Sequence, residues 1–194
     1  GCWTNNAGII SDGIFQQPVN NNKTISDGTF QEEVYNYGII SDGTFQKEVH
    51  NHGTVSDGTF QGEVYNARGT ISGGTFEEAV EVHASSLIEA KIEGGTFEKD
   101  TTFMNYDAPI TIKDGLFDGE VAIERCDSPL SIRGGLFTKV VDASDIINPD
   151  KLSITGGYFV SKPTLPEGSG ISFTSVRDQN YRAFQVPVNG DWSE

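Results

Sequence analysis

No apolar run in this sequence approaches 18 residues, which excludes a membrane-spanning helix. Basic residues are scarce, with 13 Lys and Arg against 28 Asp and Glu, and the formal net charge is -15. A surface of that sign repels phosphates, so we exclude nucleic acid as a partner and expect neutral glycans, cations or basic proteins instead. Disorder is also excluded, because 36% of the residues are hydrophobic and 10% are aromatic.

One short pattern recurs nine times along the chain, beginning as SDGIFQ, continuing as SDGTFQ and ending as TGGYFV. The successive phenylalanines are 15, 15, 15, 16, 21, 20, 20 and 22 residues apart. Repeats of this length indicate a stack of small supersecondary units that bury a shared core. The repeated phenylalanines are Phe15, Phe30, Phe45, Phe60, Phe76, Phe97, Phe117, Phe137 and Phe159.

Within each repeat, apolar and polar residues alternate in three short segments. A β-branched aliphatic residue stands five positions before every phenylalanine, and a valine follows four positions after it in seven of the repeats. Alternation with a period of two is typical of strands with one side chain inside and its neighbours outside. Three such segments leave only two or three residues for each corner of a 15-residue coil. The pattern therefore predicts three strands per coil and no helix.

We predict an all-β, single-domain parallel β-solenoid, or β-helix, of about nine coils. Residues 1–75 form narrow coils of 15 residues, residues 76–162 form wider coils of 20–22 residues, and residues 163–194 form a C-terminal β cap. The wide coils gain inward apolar positions, such as Phe103 and Ile110. The apolar residues predicted for the cap are Ile171, Phe173, Tyr181, Phe184 and Val186.

Two further features follow from stacking the coils in register. Asn21, Asn36, Asn51 and Asn66 each stand six positions after a phenylalanine, so their side-chain amides are predicted to hydrogen-bond along the stack. The two cysteines, Cys2 and Cys126, lie about 33 Å apart in such a stack, beyond the reach of a disulfide. We therefore expect both to be free thiols.

The I-x-G-G-x-F repeats and the cap resemble the β-helical repeats of secreted bacterial surface proteins, and the likeness runs from Ile10 to Phe159. The wider parallel β-helix class, which includes pectin-lyase-like proteins, contains pectin-degrading enzymes, phage tailspikes and adhesins. The resemblance implies an extracellular or cell-surface location and a glycan-rich setting.

A column of aspartates is the first candidate site. Asp12, Asp27, Asp42 and Asp57 recur once per coil, each before a glycine. Carboxylates spaced by about 4.8 Å repel one another unless a cation screens them, and calcium takes several oxygen ligands. The alternative is ordinary Asp-Gly turn chemistry. We predict no cofactor for the chain, with calcium at this column as the one candidate.

A cluster of aromatic and imidazole side chains is the second candidate site. Tyr35, His50 and Tyr65 share one outward position on successive coils, and Tyr37 and His52 follow two residues later. Such rings can stack on sugar faces and offer hydrogen bonds from their tips, which predicts a glycan-binding patch. The alternative is that the rings stack across coils and only cover the sheet.

Catalysis is the least supported possibility. Asp107, Asp114 and Asp127 with Lys113 and Arg133 are the candidates for acid–base chemistry, but no nucleophile–base pair stands out. Glu93, Lys113 and Arg133 form one column of mixed charge, and a column of that kind is typical of a stabilising ladder. We predict a non-enzymatic extracellular stalk or adhesin-like domain that binds glycan or another extracellular ligand. The alternative is a polysaccharide lyase or hydrolase, or a tailspike-type glycan-recognition domain.

Overall fold

The computed structural model describes residues 3–178 and 181–185 and confirms the parallel β-solenoid. Three parallel sheets run along the molecule, and each coil contributes one strand to each of them. We name the sheets by the residue type that most often points inward: the valine sheet, the isoleucine sheet and the phenylalanine sheet. No helix among these residues is long and apolar enough to cross a membrane.

The valine sheet has nine strands, and its outward face carries most of the candidate aromatic residues. The strands pair without offset, so that Val49 lies between Val34 and Val64. Its strands are β1 (Thr4–Asn6), β4 (Val19–Asn21), β7 (Val34–Asn36), β10 (Val49–Asn51), β13 (Val64–Ala67), β16 (Val80–Ala84), β19 (Thr101–Asn105), β22 (Val121–Cys126) and β25 (Val141–Asp142).

The isoleucine sheet also has nine strands, and each follows a valine-sheet strand along the chain. The connection before the last of them is nine residues long and contains a 3-10 helix, Pro149–Lys151. Its register is equally regular, with Val55 between Ile40 and Ile71. Its strands are β2 (Ile9–Ile10), β5 (Thr24–Ile25), β8 (Ile39–Ile40), β11 (Thr54–Val55), β14 (Thr70–Ile71), β17 (Ala90–Ile92), β20 (Ile110–Ile112), β23 (Leu130–Ile132) and β26 (Leu152–Ile154).

The phenylalanine sheet has one two-residue strand from each coil and two longer strands at its C-terminal end. The last two strands are antiparallel, and Phe159 pairs with Phe184 across that junction. The strands are β3 (Ile14–Phe15), β6 (Thr29–Phe30), β9 (Thr44–Phe45), β12 (Thr59–Phe60), β15 (Thr75–Phe76), β18 (Thr96–Phe97), β21 (Leu116–Phe117), β24 (Leu136–Phe137), β27 (Tyr158–Phe159), β28 (Thr174–Asp178) and β29 (Tyr181–Gln185).

The core consists of continuous columns rather than a central cluster. Each repeat phenylalanine stacks on the next with ring centroids 4.6–4.9 Å apart and ring planes within 11°. From Phe30 to Phe159 these rings are buried, whereas Phe15 in the first coil is only partly buried. Coils stack this closely because the corners carry glycine: a Cβ on Gly53 would lie 2.1 Å from the carbonyl oxygen of Gly38.

The predicted asparagine ladder is present, and it is one residue longer than predicted. Each Nδ2 donates to the Oδ1 of the next coil at 2.6–2.7 Å, beginning at Asn6 and ending at Asn66. The ladder ends there because the next residue in the column is Val82, and Asn66 Nδ2 donates instead to the carbonyl of Gly69. Buried amides are thus satisfied within the stack.

The stack widens as predicted, through longer strands in two of the three sheets. In the valine sheet, β16, β19 and β22 have five or six residues, and from β17 the isoleucine-sheet strands have three. The added inward residues, such as Phe103 and Ile110, are fully buried. The pairing of β19 with β22 contains a bulge, since Phe103 pairs with Ile123 and Met104 with Arg125.

The C-terminal segment closes one end of the core, as predicted. Ile171 and Phe173 pack against it, and the Phe173 ring meets Phe159 edge-on at 5.4 Å. The strand pair β28–β29 continues the phenylalanine sheet. Val186 and Cys2, two residues named from the sequence, lie outside the described residues. Cys126 is buried and free, as expected.

Candidate functional site

The aromatic residues of the valine sheet form one continuous ridge, made of Trp3, Tyr35, His50 and Tyr65. The middle three stand at the same outward position of β7, β10 and β13, so the register places His50 between the two tyrosines. Trp3 precedes β1 and meets the ring of Tyr35. The structure therefore brings together the three ridge residues predicted from the sequence and adds a fourth.

The rings of this aromatic ridge stack on one another. The His50 ring lies 4.3 Å from Tyr35 and 5.4 Å from Tyr65, with interplanar angles of 17° and 16°. Trp3 contacts Tyr35 edge-on at 5.2 Å and is 48% exposed. Because the faces of the inner rings contact each other, the ridge offers ring edges, polar tips and the exposed indole to a ligand.

Glutamates lie beside the tips of the ridge. The hydroxyl of Tyr65 donates to Glu63 Oε2 at 3.1 Å, and His50 Nε2 pairs with Glu48. The hydrogen bond to Glu63 raises the pKa of Tyr65 to about 12. The pKa of Tyr35 is also raised, first by burial and then by nearby carboxylates. Both phenols are protonated at neutral pH, and the proton of Tyr65 is directed at Glu63, so the ridge presents the hydroxyl of Tyr35 as a donor together with carboxylate acceptors.

A second, shorter row lies beside the aromatic ridge. Tyr37 and His52 stack with their ring centroids 5.0 Å apart, and Tyr37 is exposed. The Nδ1 of His52 is 3.1 Å from the carbonyl oxygen of Ala67. Burial lowers the pKa of His52, and the positive charge of Arg68 acts in the same direction. His52 is therefore neutral at physiological pH, because its protonated form is disfavoured.

The aspartate column lies at a different corner, between the isoleucine and phenylalanine sheets. The Oδ1 of each aspartate accepts a hydrogen bond from the amide of the following glycine at 2.6–2.9 Å. These glycines have φ near +123°, as at Gly28 and Gly43, a conformation that glycine adopts without strain. Turn chemistry accounts for the column, which comprises Asp12, Asp27, Asp42 and Asp57.

We expect EDTA to leave the melting temperature unchanged, and added calcium to have no effect either. One oxygen of each column carboxylate is already used by its own turn. Within the described residues, no group of three His, Cys, Asp or Glu side chains is arranged to hold a metal ion. Thermal melting followed by circular dichroism tests this expectation. A lower melting temperature in EDTA that calcium restores would establish the predicted calcium site.

The residues considered for acid–base chemistry are spread over corners and turns. Asp114 Oδ1 accepts from the amide of Gly115, and Asp127 pairs with Arg125. Lys113 forms the predicted ladder contact with Glu93 in the preceding coil. Asp107 and Arg133 are both exposed. Only Asp114 and Arg133 line a common groove in the structure, at the corner of the wide coils.

Comparison with known proteins gives no match: no family model, no curated protein and no solved structure is significantly similar to this sequence.

Proposed function

We propose that this chain is a non-enzymatic, extracellular repeat domain of a bacterial surface protein, and that it serves as a rigid stalk with a glycan-binding surface. The observation that carries the proposal is the unbroken stack of nine coils, joined by the phenylalanine columns and the three sheets. Eight steps of about 4.8 Å make a rod of roughly 38 Å. Such a rod holds a ligand-binding surface at a fixed distance from its attachment.

The aromatic ridge supports the glycan-binding part of the proposal. Sugars present hydroxyl groups and apolar C–H faces, which match hydroxyl donors, carboxylate acceptors and aromatic carbon. The ridge offers all three within five coils, through the indole of Trp3, the hydroxyl of Tyr35 and the carboxylate of Glu63 beside Tyr65. Since the chain carries a net charge of -15, a neutral glycan suits it better than an acidic one.

The double variant Tyr35→Ala/Tyr65→Ala is expected to bind neutral glycans at least about tenfold more weakly than the parent. Both phenols and much of the stacked carbon are removed, whereas the inward columns of the solenoid are untouched. A glycan array identifies the ligand, and titration calorimetry with the best hit measures the loss. Circular dichroism shows that the variant keeps its fold.

The matched control is Tyr106→Ala, which removes an exposed tyrosine that lies away from the aromatic ridge. We expect this control to bind as the parent does. Full binding by the ridge variant would place the glycan elsewhere. The ridge variant could instead melt at a much lower temperature while its folded fraction still binds the glycan as the parent does. That result would show that the rings only cover the sheet.

A further inference from the structure

A groove follows the corner between the isoleucine and phenylalanine sheets in the wide coils. It spans the last four turns before β18, β21, β24 and β27 and has a volume of about 700 Å³. That volume lies within the range of about 300–1,000 Å³ that is typical of small-molecule sites. In the narrow coils, the same corner is filled by the aspartate column. Three of the four turns along the groove are Gly-Gly, and the fourth is Asp114-Gly115.

Glycine pairs form the floor of this groove. Two of these turns are Gly134-Gly135 and Gly156-Gly157, and no carbonyl or side chain of a described residue accepts a hydrogen bond from any of these four amides. The narrow coils and the Asp114-Gly115 turn differ, because there an aspartate accepts from the second amide of the turn. The two Gly-Gly turns therefore have amide donors without a partner among the described residues.

Two opposite charges stand on neighbouring coils of the groove. Arg133 is exposed and forms no ion pair with any described residue, unlike Lys113 at the same position one coil earlier, which pairs with Glu93. Asp114 lines the groove as well, and only its Oδ1 is used, by the amide of Gly115. Arg133 and Asp114 lie on adjacent coils, and they do not form an ion pair with each other in the structure.

The wall beside these charges is apolar. The outward position before the phenylalanine is threonine from the second to the sixth coil, as in Thr44 and Thr59, but becomes Leu116, Leu136 and Tyr158 along the groove. Leu136 is 41% exposed and Tyr158 is 47% exposed. An exposed leucine and tyrosine side by side offer a surface for an apolar group to bury.

We propose that this groove binds a small zwitterion with an apolar body, of the α-amino acid or short-peptide class. The carboxylate of the ligand binds the guanidinium of Arg133, its ammonium group binds Asp114, and its side chain packs on Leu136 and Tyr158. Charge decides between this ligand and a simple acid. A chain with a net charge of -15 repels a free anion, but a zwitterion is neutral overall and matches both charges of the groove.

The test is an NMR titration of the ¹⁵N-labelled chain with three probes of similar shape. L-Phenylalanine is expected to shift the amides of Gly134, Gly135, Gly156 and Gly157 in a saturable manner. Its amide lacks the carboxylate and 3-phenylpropionate lacks the ammonium group, so each is expected to bind about tenfold more weakly or worse. Leucyl-leucine distinguishes the two sources, because tighter binding than phenylalanine identifies a peptide site.

Variants assign each charge of the groove. Arg133→Gln is expected to weaken phenylalanine binding about tenfold or more, and Asp114→Asn is expected to abolish the preference for phenylalanine over 3-phenylpropionate. The asparagine still accepts the amide hydrogen bond of its turn. Lys113→Gln is the matched control, and it should bind as the parent does. The proposal is overturned if neither phenylalanine nor leucyl-leucine gives saturable shifts, if all three phenyl probes bind equally, or if Arg133→Gln binds as the parent does.

Discussion

Replacing Phe45 with alanine is expected to lower the free energy of unfolding by about 3–5 kcal/mol. Phe45 is completely buried, and its ring stacks between Phe30 and Phe60 at centroid distances of 4.9 and 4.8 Å. Truncation removes contacts on both faces and leaves a gap in the column. The surrounding coils cannot close that gap, because hydrogen bonds between strands fix the distance from coil to coil. Denaturant unfolding followed by far-ultraviolet circular dichroism measures the loss.

Phe15→Ala is the matched control for this change. Phe15 belongs to the same column, but it is only partly buried and stacks on Phe30 alone among the repeat phenylalanines. Its truncation should therefore cost clearly less than truncation of Phe45. The two variants could lose the same free energy of unfolding, or Phe45→Ala could leave the melting temperature unchanged. Either result would contradict the view that the stacked column is the main source of stability.

Replacing Asn51 with valine is expected to cost about 2–5 kcal/mol, because at least two buried groups lose their partners. The Oδ1 of Asn66 loses the amide that donates to it, and the backbone amide of Gly53 loses its acceptor. Valine itself fits this column, since Val82 occupies it in the first wide coil. The loss thus reports hydrogen bonding rather than shape, and the same denaturant experiment measures it.

Asn66→Val provides the comparison for the ladder. Asn66 is the last rung, its neighbour on one side is already Val82, and its removal leaves Asn51 Nδ2 with the carbonyl of Gly53. We expect this variant to lose less stability than Asn51→Val. A larger loss at Asn66 would show that the end of the ladder, rather than its continuity, carries the stabilisation.

The fold was predictable from the sequence because one spacing governs the whole chain. A fixed distance from each phenylalanine determined which residue points inward, and the burial of Phe45, Val49 and Asn51 follows that rule. Asn6 was not predicted as a rung, although it stands 15 residues before Asn21, because no phenylalanine stands six positions before it. The ladder begins one coil before the first predicted rung.

The aromatic ridge was predicted in position but not in orientation. Coil length fixes which residues are neighbours, so His50 had to lie between Tyr35 and Tyr65. Side-chain torsions decide whether ring faces point to solvent or to each other, and residue spacing does not report them. Trp3 was missed for another reason: it stands where the next coils have Pro18 and Glu33, so no aromatic recurrence marked it.

The groove could not be predicted from the repeat pattern, because that pattern does not distinguish Lys113 from Arg133. Lys113 and Arg133 occupy the same column and carry the same charge, so the sequence predicted one ladder for both. The structure pairs Lys113 with Glu93 and leaves Arg133 beside a widened corner. On the following coil, Thr155 occupies the position that corresponds to Arg133. No carboxylate is therefore available on that coil to extend the ladder.

The equal length of the narrow coils makes them interchangeable. Strands one coil apart present nearly the same valine, asparagine, isoleucine and phenylalanine, so a slip by a whole coil during folding would match almost every column. The equivalence ends at the step from Asn66 to Val82, because the wide coils carry apolar residues in the column where the narrow coils carry asparagine, and their strands in this sheet are longer. The wide half therefore fixes the register in which the coils stack. For the same reason, gaining or losing one 15-residue coil would change the length by one step of about 4.8 Å and leave both ends as they are.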